Sequence, residues 1–187
     1  MSSKTLDAVI AAVICAASAA CAAPPEVRTS SPAALAVARR AAARADLAFR
    51  GTVVATRVER DAASGLPFTY VTARIDERLK GAAGDGAVDW TAPGATVTWR
   101  LVGGALDGQV LELADAPSFR VGEEAYWLLA YGPAGTFPML AGLGAGKWTR
   151  ASGGGTALVS PGAPGPVEEE ALRAALAAPP VPAEGAR

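Results

Sequence analysis

Histidine and asparagine are missing from all 187 residues, glutamine occurs once as Gln109, and the two cysteines, Cys15 and Cys21, sit in an apolar stretch near the N-terminus. The side chain that most often moves protons near neutral pH is therefore gone. At most one cysteine outlasts a cleaved leader, so no intramolecular disulfide can form and the usual His/Cys metal sites have no donors. No catalytic residue, metal or cofactor is expected. Without asparagine there is no N-glycosylation acceptor. Charge of one sign is lacking too: 17 Lys and Arg stand against 18 Asp and Glu, with the basic residues scattered. That pattern excludes the electrostatic footprint of a nucleic-acid binder.

What is present begins with a leader. One cation, Lys4, precedes an apolar run from Ala8 to Ala17 that ends in small residues, the order of a secretory signal. The run is about half the roughly 20 residues a membrane span needs. Residues 1–20 are read as the signal peptide. Ala17-Ser18-Ala19 and Ala20-Cys21-Ala22 both fit signal-peptidase exits, while Ser18-Ala19-Ala20-Cys21 resembles a lipobox with Ser18 in place of its usual Leu. A lipid on Cys21 would be the only membrane attachment. The expected location is outside the cytoplasm: periplasm, outer membrane as a lipoprotein, or extracellular.

The remaining chain divides into a linker (21–30), a main domain (31–160), and a linker, helix and disordered tail (161–187). Ser31 and Pro32 suit the start of a helix that runs to Ala45, with Leu35, Ala38, Ala42 and Ala45 as its apolar face. Strand signals follow. Leu47, Phe49, Gly51, Val53 and Ala55 alternate with polar residues, and Gly51 in mid-strand marks a bulge or bend. Val71, Ala73, Ile75 and Leu79 alternate against Tyr70, Thr72, Arg74 and Asp76. Val97, Trp99 and Leu101 repeat the pattern. Asp107-Gly108 signals a hairpin, and Ala125 to Tyr131 reads as a central buried strand. Short strands are expected at Phe137–Leu140, Lys147–Arg150 and Thr156–Ser160, and a helix at Val167–Ala177. The fold class is mainly β, a small closed OB-like antiparallel barrel with a short helix before it and another near the C-terminus.

Ala45-Asp46-Leu47-Ala48-Phe49-Arg50-Gly51, the strand through Val71, Ala73, Ile75 and Leu79 to Lys80-Gly81, and Val121-Gly122-Glu123 leading into Tyr126-Trp127-Leu128-Leu129 together resemble the netrin-like modules. These are OB-type barrels best known from tissue inhibitors of metalloproteinases. The same stretches look like those of uncharacterised secreted bacterial proteins sharing the Gly142 to Lys147 turn. The resemblance implies a barrel that works by binding. It does not carry over zinc chelation, because those inhibitors use a disulfide-bonded N-terminal cysteine and Cys21 has no partner.

Among the residues that could bear chemistry, Gly142 to Lys147 lacks the Ser or Thr that a phosphate loop places after its Lys. Glu123-Glu124 and Asp115 would have to supply a carboxylate-dependent hydrolase, yet adjacent strand residues point to opposite faces. The expected binding surface is the outward face bearing Tyr70, Arg74 and Arg100, with Trp90 and Trp148 as further candidates in or beside loops. The expected function is a secreted or lipid-anchored non-catalytic module that binds a protein in the bacterial envelope, one role being to modulate an exported protease. The alternative is a structural envelope module with no ligand site, and the last a carboxylate hydrolase.

Overall fold

The computed structural model describes residues 30–81, 91–132, 137–152 and 155–178. The expected leader, Cys21, Trp90 and the tail beyond Ala178 lie outside the described residues. Helix α1 (Pro32–Arg44) starts where Ser31 Oγ accepts the Ala34 N–H at 3.4 Å. Its end is held by the Lys80 ammonium, which donates to the Ala42 carbonyl at 2.7 Å; a cation there also meets the negative end of the helix dipole. Ala34, Ala38, Ala41 and Ala42 are buried, whereas the expected Leu35 only packs alongside. A stripe of methyl groups lets the helix lie close on the sheet.

That sheet is antiparallel and strongly curled. β1 (Leu47–Arg60) and β2 (Pro67–Lys80) form a long hairpin, β3 (Thr96–Val102) extends it beside β2, and β6 (Glu124–Ala130) pairs with the first half of β1. Beyond β6 come β8 (Lys147–Arg150), β9 (Ala157–Val159) and β10 (Val167–Glu168), while β7 (Met139–Leu140) shares the β6 edge with β8. β4 (Gly104–Leu106) and β5 (Gln109–Leu111) make a separate hairpin whose turn puts Asp107 at φ 52° and Gly108 at φ 75°. The expected Asp-Gly turn is thus present. Helix α2 (Glu169–Ala177) follows β10 directly, so Val167 and Glu168 are strand rather than the helical start read from sequence.

Register shifts in the β1–β2 ladder produce the curl, one of them at Arg50/Gly51. A Cβ on Gly51 would stand 2.3 Å from the Arg74 carbonyl oxygen, so the bend requires glycine. A second shift at Ala48/Phe49 changes the facing of the last residues of β2. Leu79, expected beside Ile75, packs instead on the helix side.

Two apolar cores result, one on each face of β6. Ala125, Trp127 and Leu129 point into the concave interior with Leu47, Phe49, Val53, Val71, Ala73, Ile75, Val97, Trp99 and Leu140. Tyr126 and Leu128 face the layer containing α1, α2, Trp148 and Leu158. Burying the largest of these side chains stabilises the fold by roughly 2–3 kcal/mol each.

The expected closed barrel is not formed. The pairing path ends at β3 on one side, and among the described residues one backbone hydrogen bond, Arg100 N to Pro138 O at 3.2 Å, crosses to the segment before β7. Proline has no N–H to return, so a ladder cannot propagate there. After Leu140 the chain turns into a 3-10 turn, Leu143–Gly146. The architecture is a curled half-barrel carrying two helices.

Candidate functional site

The outward face of β2 and β3 assembles as its alternation suggests. Tyr70 lies opposite Arg100, Thr72 opposite Thr98, and Arg74 opposite Thr96. The two threonine hydroxyls are 2.8 Å apart. Both arginines are already engaged, Arg74 with Asp76 at 2.9 Å and Arg100 with Asp61 at 3.5 Å. Arg100 also lies 4.7 Å over the Phe68 ring, and Arg57 lies 4.7 Å over Tyr70. Phe137 meets Tyr70 edge-on at 5.3 Å, leaving Tyr70 only 9% exposed. The Ser64 hydroxyl and backbone N–H hold the Asp61 carboxyl below the usual carboxylate range, with Arg100 adding to the effect. Sequence reading brought Tyr70, Arg74 and Arg100 together but missed Arg57, Phe68 and Phe137, which cover them.

Trp148 is not a surface residue. It is fully buried and its indole N–H donates to the Ala145 carbonyl at 2.8 Å. The strand Lys147–Arg150 is too short to reveal by alternation that a helical layer covers one side.

Two of the three carboxylates considered for hydrolysis, Glu123 and Glu124, are tied into ion pairs, while Asp115 is exposed. Glu123 meets the nearly buried Lys147 ammonium at 2.6 Å, and that ammonium also donates to the Ser118 carbonyl. Glu124 meets Arg50 at 2.8 Å. Glu77 accepts both arms of Arg173 at 2.7 and 2.8 Å; this charged pairing brings its carboxyl down to about 2 despite some desolvation. Burial pushes Glu169 up, but the Tyr126 hydroxyl, Arg150 and Arg173 outweigh it and leave the carboxyl below its ordinary value. These contacts fasten α2 to β2 and β6. No group of three or more acidic, His or Cys side chains suited to a metal occurs among the described residues.

A hollow of a different kind lies at the open end of the half-barrel. The far part of β1, with Thr56, Arg57 and Val58, forms one wall. The β4–β5 hairpin and the segment after it, with Val110, Leu111, Leu113 and Phe119, form the other, and Leu101 adds apolar surface from β3. The cavity measures about 610 Å³, within the roughly 300–1,000 Å³ of ligand seats. Two glycines shape it: Gly103 and Gly104 take φ 115° and 131°, folding the hairpin back so tightly that a Cβ on Gly104 would stand 2.8 Å from Val58 Cγ1.

Phe119 closes the bottom. Its ring centroid is 6.1 Å from that of Trp99 and 6.0 Å from that of Trp127, and Lys147 Nζ lies 5.5 Å from its centre. The rim is apolar and open, with Val110 at 68% and Leu113 at 37% exposure. Sequence reading passed over this site. Phe119 is its one sequence signal, an aromatic alone in a stretch without helix or strand.

Compared with known proteins, the chain matches no family model, no curated protein and no solved structure.

Proposed function

We propose that this chain is an exported, non-catalytic binding module whose seat for a protein partner is the cavity between the far half of β1 and the β4–β5 hairpin. The observation that carries the proposal is that cavity: a formed hollow of about 610 Å³ with apolar walls and an exposed apolar rim. Scattered surface apolar residues need no explanation, but a concave group of them fits a binding site. The carboxylates of Glu123 and Glu124 are held by Lys147 and Arg50, which supports a binding role over hydrolysis. The Gly51 bend supports the OB-type, netrin-like part of the reading, since small barrels curl their first strand this way. Export rests on the leader sequence, with Cys21 as the lipid-bearing residue if the lipobox is used.

The seat is tested by retention of envelope proteins on the immobilised chain. Val110→Glu, at a position 68% exposed, is expected to lose the specific partner while Arg74→Glu with Arg100→Glu keeps it. The reverse result would move the seat to the β2–β3 face. No partner lost from either variant favours the structural-module reading, which the saturated ion pairs of Arg74 and Arg100 also suit. Mass analysis of the mature N-terminus decides attachment: a diacyl or triacyl mass on Cys21 establishes the anchor, and an unmodified start at Ala20 or Ala23 removes it.

A further inference from the structure

The walls of the cavity are not equivalent. The β4–β5 side is a separate two-stranded hairpin, whereas the β1 side is a strand of the main sheet. β6 pairs with β1 only from Leu47 to Thr52, and the next residue, Val53, is bonded to the Glu123 carbonyl at 2.9 Å and the Gly122 N–H at 2.8 Å. From Val54 to Arg60, β1 has β2 along one edge and, among the described residues, no strand along the other. Extended residues rise about 3.3 Å each, and alternate ones present their N–H and C=O to the open side. Thr56, Arg57 and Val58 on this open length line the cavity.

We infer that the cavity takes an extended peptide segment of a partner protein, bound as an added strand along the open β1 edge with apolar side chains set against the hairpin wall. This rests on the proposed seat and names what fills it. An added strand satisfies the free backbone groups of β1, and its side-chain alternation turns every second residue toward Leu101, Leu113 and Phe119. Charge sets the ends. Glu112 lines the same cavity, is exposed, and has no ion-pair partner among the described residues, so a lysine or arginine at one end of the segment meets it. Arg57 and Glu59 on β1 neutralise each other at 2.7 Å. Together with Arg60 they supply the charges with which soluble proteins keep open edges from pairing indiscriminately. A segment that fits both backbone edge and apolar wall overcomes that guard; a polar or unstructured one does not.

The test uses the full chain and a short synthetic peptide of alternating valine and threonine with a lysine at each end. Two further versions carry N-methyl groups on alternate amides of one parity or the other. Amide hydrogen exchange of the protein and the peptide Kd are read together. The parent peptide is expected to slow exchange in residues 54–60. N-methylation of one parity should weaken binding about tenfold or more, and of the other about twofold or less, because only one set of N–H groups faces β1.

Equal losses from both parities overturn the inference, as does protection confined to other strands or no protection at roughly 1 mM peptide. Protection of residues 54–60 without peptide, together with a dimeric mass in solution, overturns it in favour of a second copy at this edge. If Val110→Glu still releases the natural partner while the peptide leaves β1 unprotected, the seat stands and strand addition alone fails.

Discussion

Replacing Gly51 by alanine tests the origin of the sheet's curl. The added Cβ would lie 2.3 Å from the Arg74 carbonyl oxygen and 2.9 Å from two ring carbons of Phe49, against the roughly 3.5–4 Å that non-bonded carbon atoms prefer. The carbonyl belongs to the neighbouring strand and the ring is fully buried, so neither moves without disturbing β2 or the concave core. Forcing one methyl into packed surroundings costs about 1–3 kcal/mol. The Gly51 carbonyl also accepts the Trp127 indole N–H at 3.0 Å; displacing it forfeits about 1 kcal/mol and leaves a buried donor unpaired. Alanine restricts the unfolded chain, which returns about 0.4–1 kcal/mol.

The balance is a loss of about 2–3 kcal/mol. In urea, where m for small proteins is about 1–3 kcal/mol/M, the midpoint should fall by roughly 0.7–3 M with m unchanged. A cycle with Trp127→Phe adds a second reading: the double variant should be less destabilised than the sum of the singles by about 1 kcal/mol, since each removes the same hydrogen bond. A Gly51→Ala midpoint within about 0.3 M of the parent would refute the claim that the bend requires glycine.

Glu123→Ala should cost about 3 kcal/mol by leaving the buried Lys147 ammonium unpaired, while Lys147→Met combined with Glu123→Gln should recover most of that stability in chemical denaturation. Because Glu77 falls from an ordinary 4.5 to about 2 on folding, the stability it contributes is complete above pH 4.5 and is lost as pH drops toward 2. Arg173→Met should remove most of that acid-dependent part, about 1 kcal/mol once solvent screening of this partly exposed pair is allowed for, with Arg50 at 3.4 Å from Glu77 keeping the rest, and a melting-temperature profile over the same range checks it. Phe119→Ala should cost about 2–3 kcal/mol and shift tryptophan emission to the red, since Trp99 and Trp127 lose the ring that closes the interior; unchanged emission would show that the segment holding Phe119 does not seal the core.

Elements whose pattern was local were legible in the sequence. Ser31 and Pro32 start α1, the alternation in β3 sorts Val97, Trp99 and Leu101 inward, and Asp107-Gly108 turns the small hairpin. Elements shaped by another layer were not. Leu79 turns over because a bulge intervenes, and Trp148 is buried by helices that its own four-residue strand does not announce. The far half of β1, Ala55 to Arg60, is rich in charge, so no apolar period marked it as strand; its pairing to Pro67–Thr72 holds it extended. The cavity escaped for the same reason, since its walls come from four segments that meet only in space. The outward β2–β3 face was visible because one period of two runs through both strands.

The position of β6 between two cores bears on how the chain reaches its fold. β1 and β2 are neighbours in sequence and can pair as soon as both exist, but Leu47 finds its other partner only in Leu129. Until β6 arrives, neither the tryptophan interior nor the alanine-lined helix has the surface it packs against. Pairings over such sequence separation carry a large loop-closure cost and slow folding. The transition state for folding should therefore contain β6 docked on β1, with α1 and α2 settling afterwards, and substitutions in β6 such as Leu128→Ala should slow refolding where Leu172→Ala on α2 mainly speeds unfolding.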